Sequence, residues 1–270
     1  MNESSNQSPP VALTIAGSDN SAGAGAQADL KTFSALGVYG LTALTCIVAE
    51  IPGHVSALQP AEKKIVREQI ELCLRVFPVA AVKTGMLHAR EIVETVCDVL
   101  EKQNLPLVVV DPVMIATSGA RLLREEAVEI YKQRLFKRAL LVTPNLDEAS
   151  ALLGRKISTH GEMRDAARAL AEKFGGAWLL KGGHLPGEQA VDVLCEQNEI
   201  FEFTAPFVRG VKTHGTGCTY SAAITAHLAR GLALRDAIAQ AKLFVSQAIA
   251  NHFRFGGTQA LNHLEMTKLE

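Results

Sequence analysis

The sequence predicts an α/β fold of three layers, α/β/α, around a central, mostly parallel sheet. Three observations predict it. Short apolar runs alternate with stretches of helical periodicity along the chain. Ala, Leu and Val dominate while aromatic residues make up only 5%, which suits strands buried on both faces beneath aliphatic helices. Glycines, prolines and charged residues fall just after the apolar runs, where loops leave strand ends.

The elements follow in order. Residues 11–16 are an apolar run that stops at Gly17, a buried strand running into a loop. Residues 17–25 hold three glycines with Ser18, Asp19, Asn20 and Ser21, which is loop chemistry. Ala28, Leu30, Phe33 and Leu36 fall at helical spacing and stop at Gly37, so 26–36 is a helix. Residues 40–49 form a second apolar run. A helix is expected over 61–77, a strand over 80–83, a helix over 90–103 and a strand over 107–110 that ends at Asp111. One helix covers 125–136. A strand over 140–142 ends at Thr143-Pro144-Asn145, and helices follow over 146–153 and 163–174. A strand over 177–181 runs into Gly182-Gly183. Residues 191–194 and 200–203 read as an antiparallel pair, and helices over 217–230 and 235–252 close the chain. No linker or repeat interrupts this order. The expectation is one domain over 11–255, with a loosely ordered N-terminus (1–10) and a loose C-terminal tail (256–270).

Composition narrows the classes of function. Formal net charge over the 270 residues is −1, with no basic run to track a phosphate backbone, so nucleic-acid binding is not expected. The five cysteines (Cys46, Cys73, Cys97, Cys195, Cys218) are scattered and form no CxxC pair, which fits a reducing compartment better than a disulfide framework or structural zinc. No apolar run is long enough to span a bilayer, and residues 1–10 lack a signal core. A cytoplasmic location is expected.

In parallel sheets ligands bind beyond the C-terminal strand ends. Gly17, Lys83-Thr84-Gly85, Asp111-Pro112, Thr143-Pro144-Asn145 and Lys181-Gly182-Gly183 all fall there. The sharpest segment is Thr213-His214-Gly215-Thr216-Gly217-Cys218-Thr219, just before a helix of small residues. Gly-rich backbone at a helix N-terminus presents free N–H groups and the positive dipole end to an anion. Cys218 would sit in the first turn, where the dipole lowers a thiol pKa and suits it to take a proton. The plain alternative is a helix capped by Thr216. Asn145-Leu146-Asp147-Glu148 could organise a hydrated Mg²⁺, but it fits a capping box at least as well. Asp111 could take a metal-bound water or orient phosphate, or sit in a solvated turn. Lys181 beside two glycines could reach nucleotide phosphates.

Two other readings are weaker. Gly23-Ala24-Gly25-Ala26-Gln27-Ala28 matches the GxGxxA form of a dinucleotide fingerprint. Residues 18–22 separate Gly23 from Gly17, however, a turn too long to place a pyrophosphate on the helix. No GKS or GKT occurs, so a P-loop is excluded. His88, His160, His227, His252 and His263 show no ligand spacing and read as surface or satisfied histidines.

Together these segments resemble the ribokinase-like superfamily, and within it the hydroxymethylpyrimidine/phosphomethylpyrimidine kinases of thiamine biosynthesis. The carriers are Ala16-Gly17-Ser18-Asp19, the run from Gly23 to Thr32, Lys83-Thr84-Gly85-Met86-Leu87, Asp111-Pro112-Val113-Met114, Thr143-Pro144-Asn145-Leu146-Asp147-Glu148, Lys181-Gly182-Gly183-His184 and His214-Gly215-Thr216-Gly217-Cys218-Thr219. The resemblance implies a ribokinase-like fold and an ATP- and Mg²⁺-dependent kinase acting on a hydroxymethylpyrimidine and on its monophosphate. It places Gly17, Asp29, Glu50, Met86 and Val113 on the substrate side. Lys181, Asn145 and Thr143 fall on the ATP side, Asp111 and Glu148 around the metal, Gly215, Thr216 and Gly217 in an anion hole, and Cys218 at the base. A homodimer is expected, as in relatives.

Two departures stand out. Ser21-Ala22-Gly23-Ala24-Gly25 replaces the usual Ser-Gly-Gly-Ala-Gly. Glu50, in Ala49-Glu50-Ile51-Pro52, stands where the family has a Gln that pairs with the aminopyrimidine edge. Ionised Glu only accepts hydrogen bonds, whereas Gln both donates and accepts. A pyridoxal- or pyridoxine-type kinase is therefore the alternative in this class. A non-catalytic binder of a thiamine precursor is the alternative outside it, and an NAD-dependent oxidoreductase is more distant still. The segment near Gly119 and residues 183–189 are candidate lids.

Overall fold

The computed structural model describes residues 8–103, 105, 107–114, 125–183, 185, 187–211 and 214–264. The candidate lid near Gly119, His184 and Thr213 lie outside the described residues.

The three-layer arrangement is present. The elements run β1 (Val11–Ala16), α1 (Gly25–Ala35), β2 (Tyr39–Leu44), β3 (Cys46–Ile51), β4 (His54–Pro60), α2 (Lys63–Val76), β5 (Val79–Thr84), α3 (Arg90–Lys102), β6 (Val108–Val110) and α4 (Glu125–Ile130). A π-helical turn (Tyr131–Leu135) leads to α5 (Phe136–Arg138), then β7 (Leu141–Val142), α6 (Leu146–Leu153), α7 (His160–Phe174), β8 (Ala177–Leu180), β9 (Gln189–Glu196) and β10 (Glu199–Pro206). Last come α8 (Thr216–Ala229), α9 (Leu234–Ala250), β11 (Phe253–Phe255) and β12 (Thr258–Ala260).

Eight strands form the main sheet in the order β10-β9-β8-β7-β6-β5-β1-β2. β2, β1, β5, β6, β7 and β8 are parallel, and β9 and β10 run antiparallel at one edge. Both faces are buried, so alternate residues of each strand feed two separate cores. Leu13 and Ile15 of β1, Val108 and Val110 of β6, and Trp178 and Leu180 of β8 pack under α2, α3, α4, α6 and α7. Ala12, Val109 and Leu179 face the other way, under α1, α8 and α9. Helix α8 lies deep in this second layer, with Thr219 to Leu228 buried without a break. Its small residues let it approach the sheet opposite Ala12 and Ala81.

The structure differs from the sequence expectation in three places. The second apolar run is two strands: β2 stops at Leu44, and β3 leaves the sheet to pair with β4 as a separate antiparallel hairpin. The helix expected over 125–136 passes through the π turn and ends at Arg138. The expected loose tail is folded through residue 264. Here β11 and β12 pair, Asn262 N–H donates to the Ala248 carbonyl, and Leu261, Asn262 and His263 are buried. His263, expected at the surface or satisfied, is buried with Nε2 3.0 Å from Thr219 Oγ1.

Chain order sets where a ligand fits. From β1 the chain steps outward to β2, then returns to β5 on the other side of β1 and continues through β6, β7 and β8. The order reverses at β1, and the cleft of such a sheet opens beyond the strand ends at that reversal.

Candidate active site

Hydrogen bonds across neighbouring strands align the strand exits. Gly85 N–H donates to the Ile15 carbonyl (2.9 Å), Asp111 N–H to Thr84 (3.0 Å), Thr143 N–H to Val110 (2.9 Å) and Lys181 N–H to Pro144 (2.9 Å). Gly17 N–H reaches the Met86 carbonyl at 3.1 Å. The predicted residues Gly17, Met86, Asp111, Thr143, Asn145 and Lys181 thus form one row at the mouth of the cleft.

Asp111 and Lys181 meet in it. Lys181 Nζ donates to Asp111 Oδ1 at 2.9 Å, and the hydroxyls of Thr143 and Ser221 approach the same carboxylate at 3.4 and 3.3 Å. Burial lowers the Lys181 pKa, but the carboxylates of Asp111 and Glu148 outweigh it and hold the ammonium above its ordinary value. Glu148 is the N3 residue of a complete capping box on α6, as its local sequence allowed. Its Oε2 accepts from Asn145 N–H (2.8 Å), and its Oε1 from Met114 N–H (3.0 Å). Burial raises its carboxyl pKa, against the pull of Lys181. Both Glu148 oxygens thus accept from backbone N–H groups, and its charge is felt at Lys181. Asn145 Oδ1 accepts from Glu148 N–H in the cap, and Thr143 is fully buried with its hydroxyl turned to Asp111. Val113, expected on the substrate side, holds φ +42°, a strained value for a β-branched residue.

The Gly-rich segment opens α8. The N-cap is Gly215, not Thr216; it is left-handed (φ +78°) and, being glycine, offers no side-chain cap of its own. A Cβ on Gly215 would run into the Gly23 carbonyl, so only glycine lets the first loop and this helix start touch. Gly217 lies in the first turn, where a Cβ would stand 3.1 Å from Lys181 Nζ and 3.7 Å from Asp111 Oδ2. The helix N-terminus thus faces the Asp111–Lys181 pair.

Cys218 does not behave as its first-turn position predicted. Burial pushes its thiol up to about 11, more than the nearby Lys83 ammonium pulls it down. A thiolate here would lose hydration on ionising, and that loss exceeds what the Lys83 charge returns. Asp29, expected on the substrate side, is fully buried. Its Oδ2 accepts from Lys83 Nζ (2.8 Å) and Thr14 Oγ1 (2.6 Å), and Oδ1 has no hydrogen-bond partner among the described residues. Burial raises the Asp29 pKa in spite of Lys83. Burial also opposes the Lys83 charge, but Asp29, Cys218 and Asp111 prevail and lift it to about 12.

Sequence reasoning assigned no role to Asp19 or to the His214 side chain. Asp19 Oδ1 accepts from Ser21 N–H, and Oδ2 from Gly23 and Ala24 N–H, with His214 Nε2 at 3.0 Å. Glu50 joins them: its backbone N–H donates to Asn20 Oδ1, and one side-chain atom each of Asp19, Glu50 and His214 lie within 4.8 Å of one another. Burial and the Asp19 charge raise the Glu50 pKa, with His214 opposing. The legible signal for Lys83 was a lysine inside the apolar strand 79–84. Asp19 and His214 gave no such signal.

A family model described as phosphomethylpyrimidine kinase matches residues 19–263. The hydroxymethylpyrimidine/phosphomethylpyrimidine kinase of Rhizobium meliloti is 44% identical over 241 residues, covering 89% of this chain and 90% of that one. The thiamine biosynthesis bifunctional protein ThiED of Geobacter sulfurreducens is 43% identical over 253 residues, 93% of this chain but 52% of the relative, so the chain spans about half its length. Among solved structures, Bacillus subtilis pyridoxal kinase in an ADP complex superposes with a TM-score of 0.87 at 38% identity, covering 95% of this chain and 98% of that one.

Proposed function

The chain belongs to the phosphomethylpyrimidine kinase family, and on that footing we propose that it transfers the γ-phosphoryl group of ATP to 4-amino-5-hydroxymethyl-2-methylpyrimidine, and then to the monophosphate so formed, in thiamine biosynthesis. The observation that carries this reading is the glycine-opened N-terminus of α8 facing the Asp111–Lys181 pair.

The residues fit a nucleotide and its metal. The space at Gly217 that a side chain would fill is bounded by a lysine and a carboxylate, the donor set a polyphosphate and its cation need. Asp111 would hold the Mg²⁺, with Glu148 adding negative charge close by. When bound with ATP, Mg²⁺ supplies neutralising charge to the phosphate oxygens.

In the transfer, the substrate hydroxyl oxygen bonds to the γ-phosphorus, the bond to the β,γ-bridging oxygen breaks, and ADP carries that electron pair away. Phosphoryl transfer passes through a loose transition state, so catalysis rests on positioning and charge. The first-turn N–H groups of α8, from Gly215 to Cys218, face the charge on the moving group. Lys181 balances charge on the leaving side. Cys218, protonated at neutral pH, orients the hydroxyl rather than ionising it in advance. The hydroxyl proton departs late, as the new P–O bond completes, and passes to an oxygen of the transferred phosphoryl group.

A second reading has its own support. Glu50 beside Asp19 and His214 favours a ring richer in hydrogen-bond donors than a neutral aminopyrimidine, and the Bacillus subtilis neighbour is a pyridoxal kinase. An ATP-dependent phosphorylation assay with the pyrimidine alcohol, its monophosphate and pyridoxal decides. Turnover of both pyrimidines above pyridoxal is expected. Turnover of pyridoxal alone favours the second reading, and ATP consumption with none of the three removes both.

The same reading includes a cytoplasmic homodimer. All five cysteines are free thiols, and no helix among the described residues is long and apolar enough to cross a membrane. Light scattering on the purified chain gives its oligomeric state.

A further inference from the structure

Gly182 follows Lys181, and its N–H donates to Asp192 Oδ1 at 3.0 Å. The other oxygen of that carboxylate, Oδ2, accepts from Lys242 Nζ at 2.6 Å. Asp192 lies on β9 and Lys242 on α9, and both side chains are more than nine-tenths buried. The Lys242 ammonium also stands 5.9 Å from the centre of the Tyr220 ring on α8.

The phosphoryl chemistry makes no direct use of this pair. A buried ion pair is a weak source of stability, because desolvating two charges offsets much of their attraction. Its geometry gives it another task. Lys181 is fixed on one side, where its N–H meets the Pro144 carbonyl and its backbone bridges to Asn145. On the other side Gly182 has no room for a side chain: a Cβ would run into the Val191 carbonyl, with Met163 Cε 2.8 Å away. The Gly182–Asp192 hydrogen bond therefore sets where the chain stands just past β8, at the point from which the Lys181 side chain turns to Asp111.

We propose that Asp192 is a positioning residue for Lys181, and that Lys242 holds the Asp192 carboxylate in the orientation that meets Gly182. Through Lys242 and Tyr220, the same pair ties the Lys181 segment to α8, whose first turn receives the phosphoryl group. The inference rests on the kinase reading, in which Lys181 acts on the nucleotide side.

The pair is best removed as a unit, since deleting one partner would strand a buried charge. D192N/K242M keeps a side-chain oxygen for Gly182 N–H, and D192A/K242M removes it. The readouts are kcat, the KM for ATP and for the alcohol, ATP affinity by calorimetry, and unfolding temperature. In D192A/K242M the KM for ATP is expected to rise about tenfold, the share of one well-placed hydrogen bond, with the KM for the alcohol unchanged. D192N/K242M is expected to recover most of that loss. Equal ATP parameters in the two variants overturn the proposal, as does a loss that falls equally on both substrates. If D192A/K242M does not fold, Asp192→Glu decides. Its longer carboxylate still meets Lys242 but is displaced from Gly182, so a native KM for ATP in that variant overturns the proposal. A native chain that binds ATP but phosphorylates none of the alcohols strikes the kinase reading instead, and ATP affinity of the two double variants then judges the positioning role.

Discussion

His214 Nε2 lies 3.0 Å from Asp19 Oδ2, a contact that closes the first loop of the chain onto the start of α8 across 195 positions of sequence. The hydrogen bond to Asp19 raises His214 above the ordinary imidazole value of 6.5, more than burial lowers it, and Glu50 adds to the rise. A histidine with a raised folded pKa contributes its full stability below the unfolded value and loses it as pH rises through the folded one. Unfolding temperature is therefore expected to fall as pH climbs above 6.5 in the native chain, and to fall less in His214→Asn. Equal slopes in calorimetric scans of the two would refute this. Asp19 acts at the other end of the scale. Burial would raise its carboxyl, but hydrogen bonds from His214, Ser21 and Ala24 hold it at about 2. Its contribution is present above 3.8 and fades as pH falls toward about 2.

Gly217→Val should lower kcat by about a hundred- to a thousandfold, by analogy with the loss of one oxyanion donor. The added side chain enters the space beside Lys181 Nζ, whose flexible end gives way, so the fold should survive. Gly215→Ala should fail differently. It forces an unfavourable positive φ and a clash with the Gly23 carbonyl, a combination that costs more than about 3 kcal/mol of stability. Steady-state rates read beside thermal melts separate the two, and normal turnover in Gly217→Val removes the anion site from this helix.

With its thiol at about 11, Cys218 exists as thiolate in about one molecule in ten thousand at pH 7. Alkylation by iodoacetamide should be slow at neutral pH and rise about tenfold per pH unit on the alkaline side. The kcat for phosphorylation should not follow that rise, and Cys218→Ser should keep turnover within about tenfold of native. A kcat that climbs in step with alkylation would restore Cys218 as the base that ionises the hydroxyl.

Glu50 becomes a donor when protonated, and burial with the Asp19 charge raises its pKa above 4.5. Lowering pH should therefore improve the native KM for the pyrimidine, because a neutral carboxyl offers the donor and acceptor that an amide offers. Glu50→Gln should bind more tightly at neutral pH and show a flatter profile. Parallel profiles from initial rates would show that Glu50 does not meet the ring.

The strand exits were legible because buried parallel strands are uniform apolar runs, and each ends at a residue that breaks the run: Gly17, Asp111, Thr143, Lys181. The β3–β4 hairpin was not, because β4 has no buried residue and so shows no alternation, and a register shift between Ala49 and Glu50 breaks the pattern in β3. Folding of the last residues was hidden for a related reason. Leu261, Asn262 and His263 are buried as a short irregular segment with no period of its own. Asp29 could be placed near the site, but not its closure by Lys83, because position along a helix does not reveal which charge on a strand it meets. The rise of Cys218 shows the same limit: the helix start was readable, the density of protein around it was not.

Helix α8 is the centre of its layer, yet it is made from the last quarter of the chain. As the polypeptide leaves the ribosome, β1, β5 and β6 are available long before the helix that covers Ala12, Ala81 and Val109. Until Ala229 has emerged, that face stays open to water and to other nascent chains. Collapse of this layer is thus a late event in synthesis, and a chain cut short before α8 would expose a greasy trough rather than fold into a smaller working enzyme. That late exposure comes from the same placement that brings the N-terminus of α8 to the strand ends.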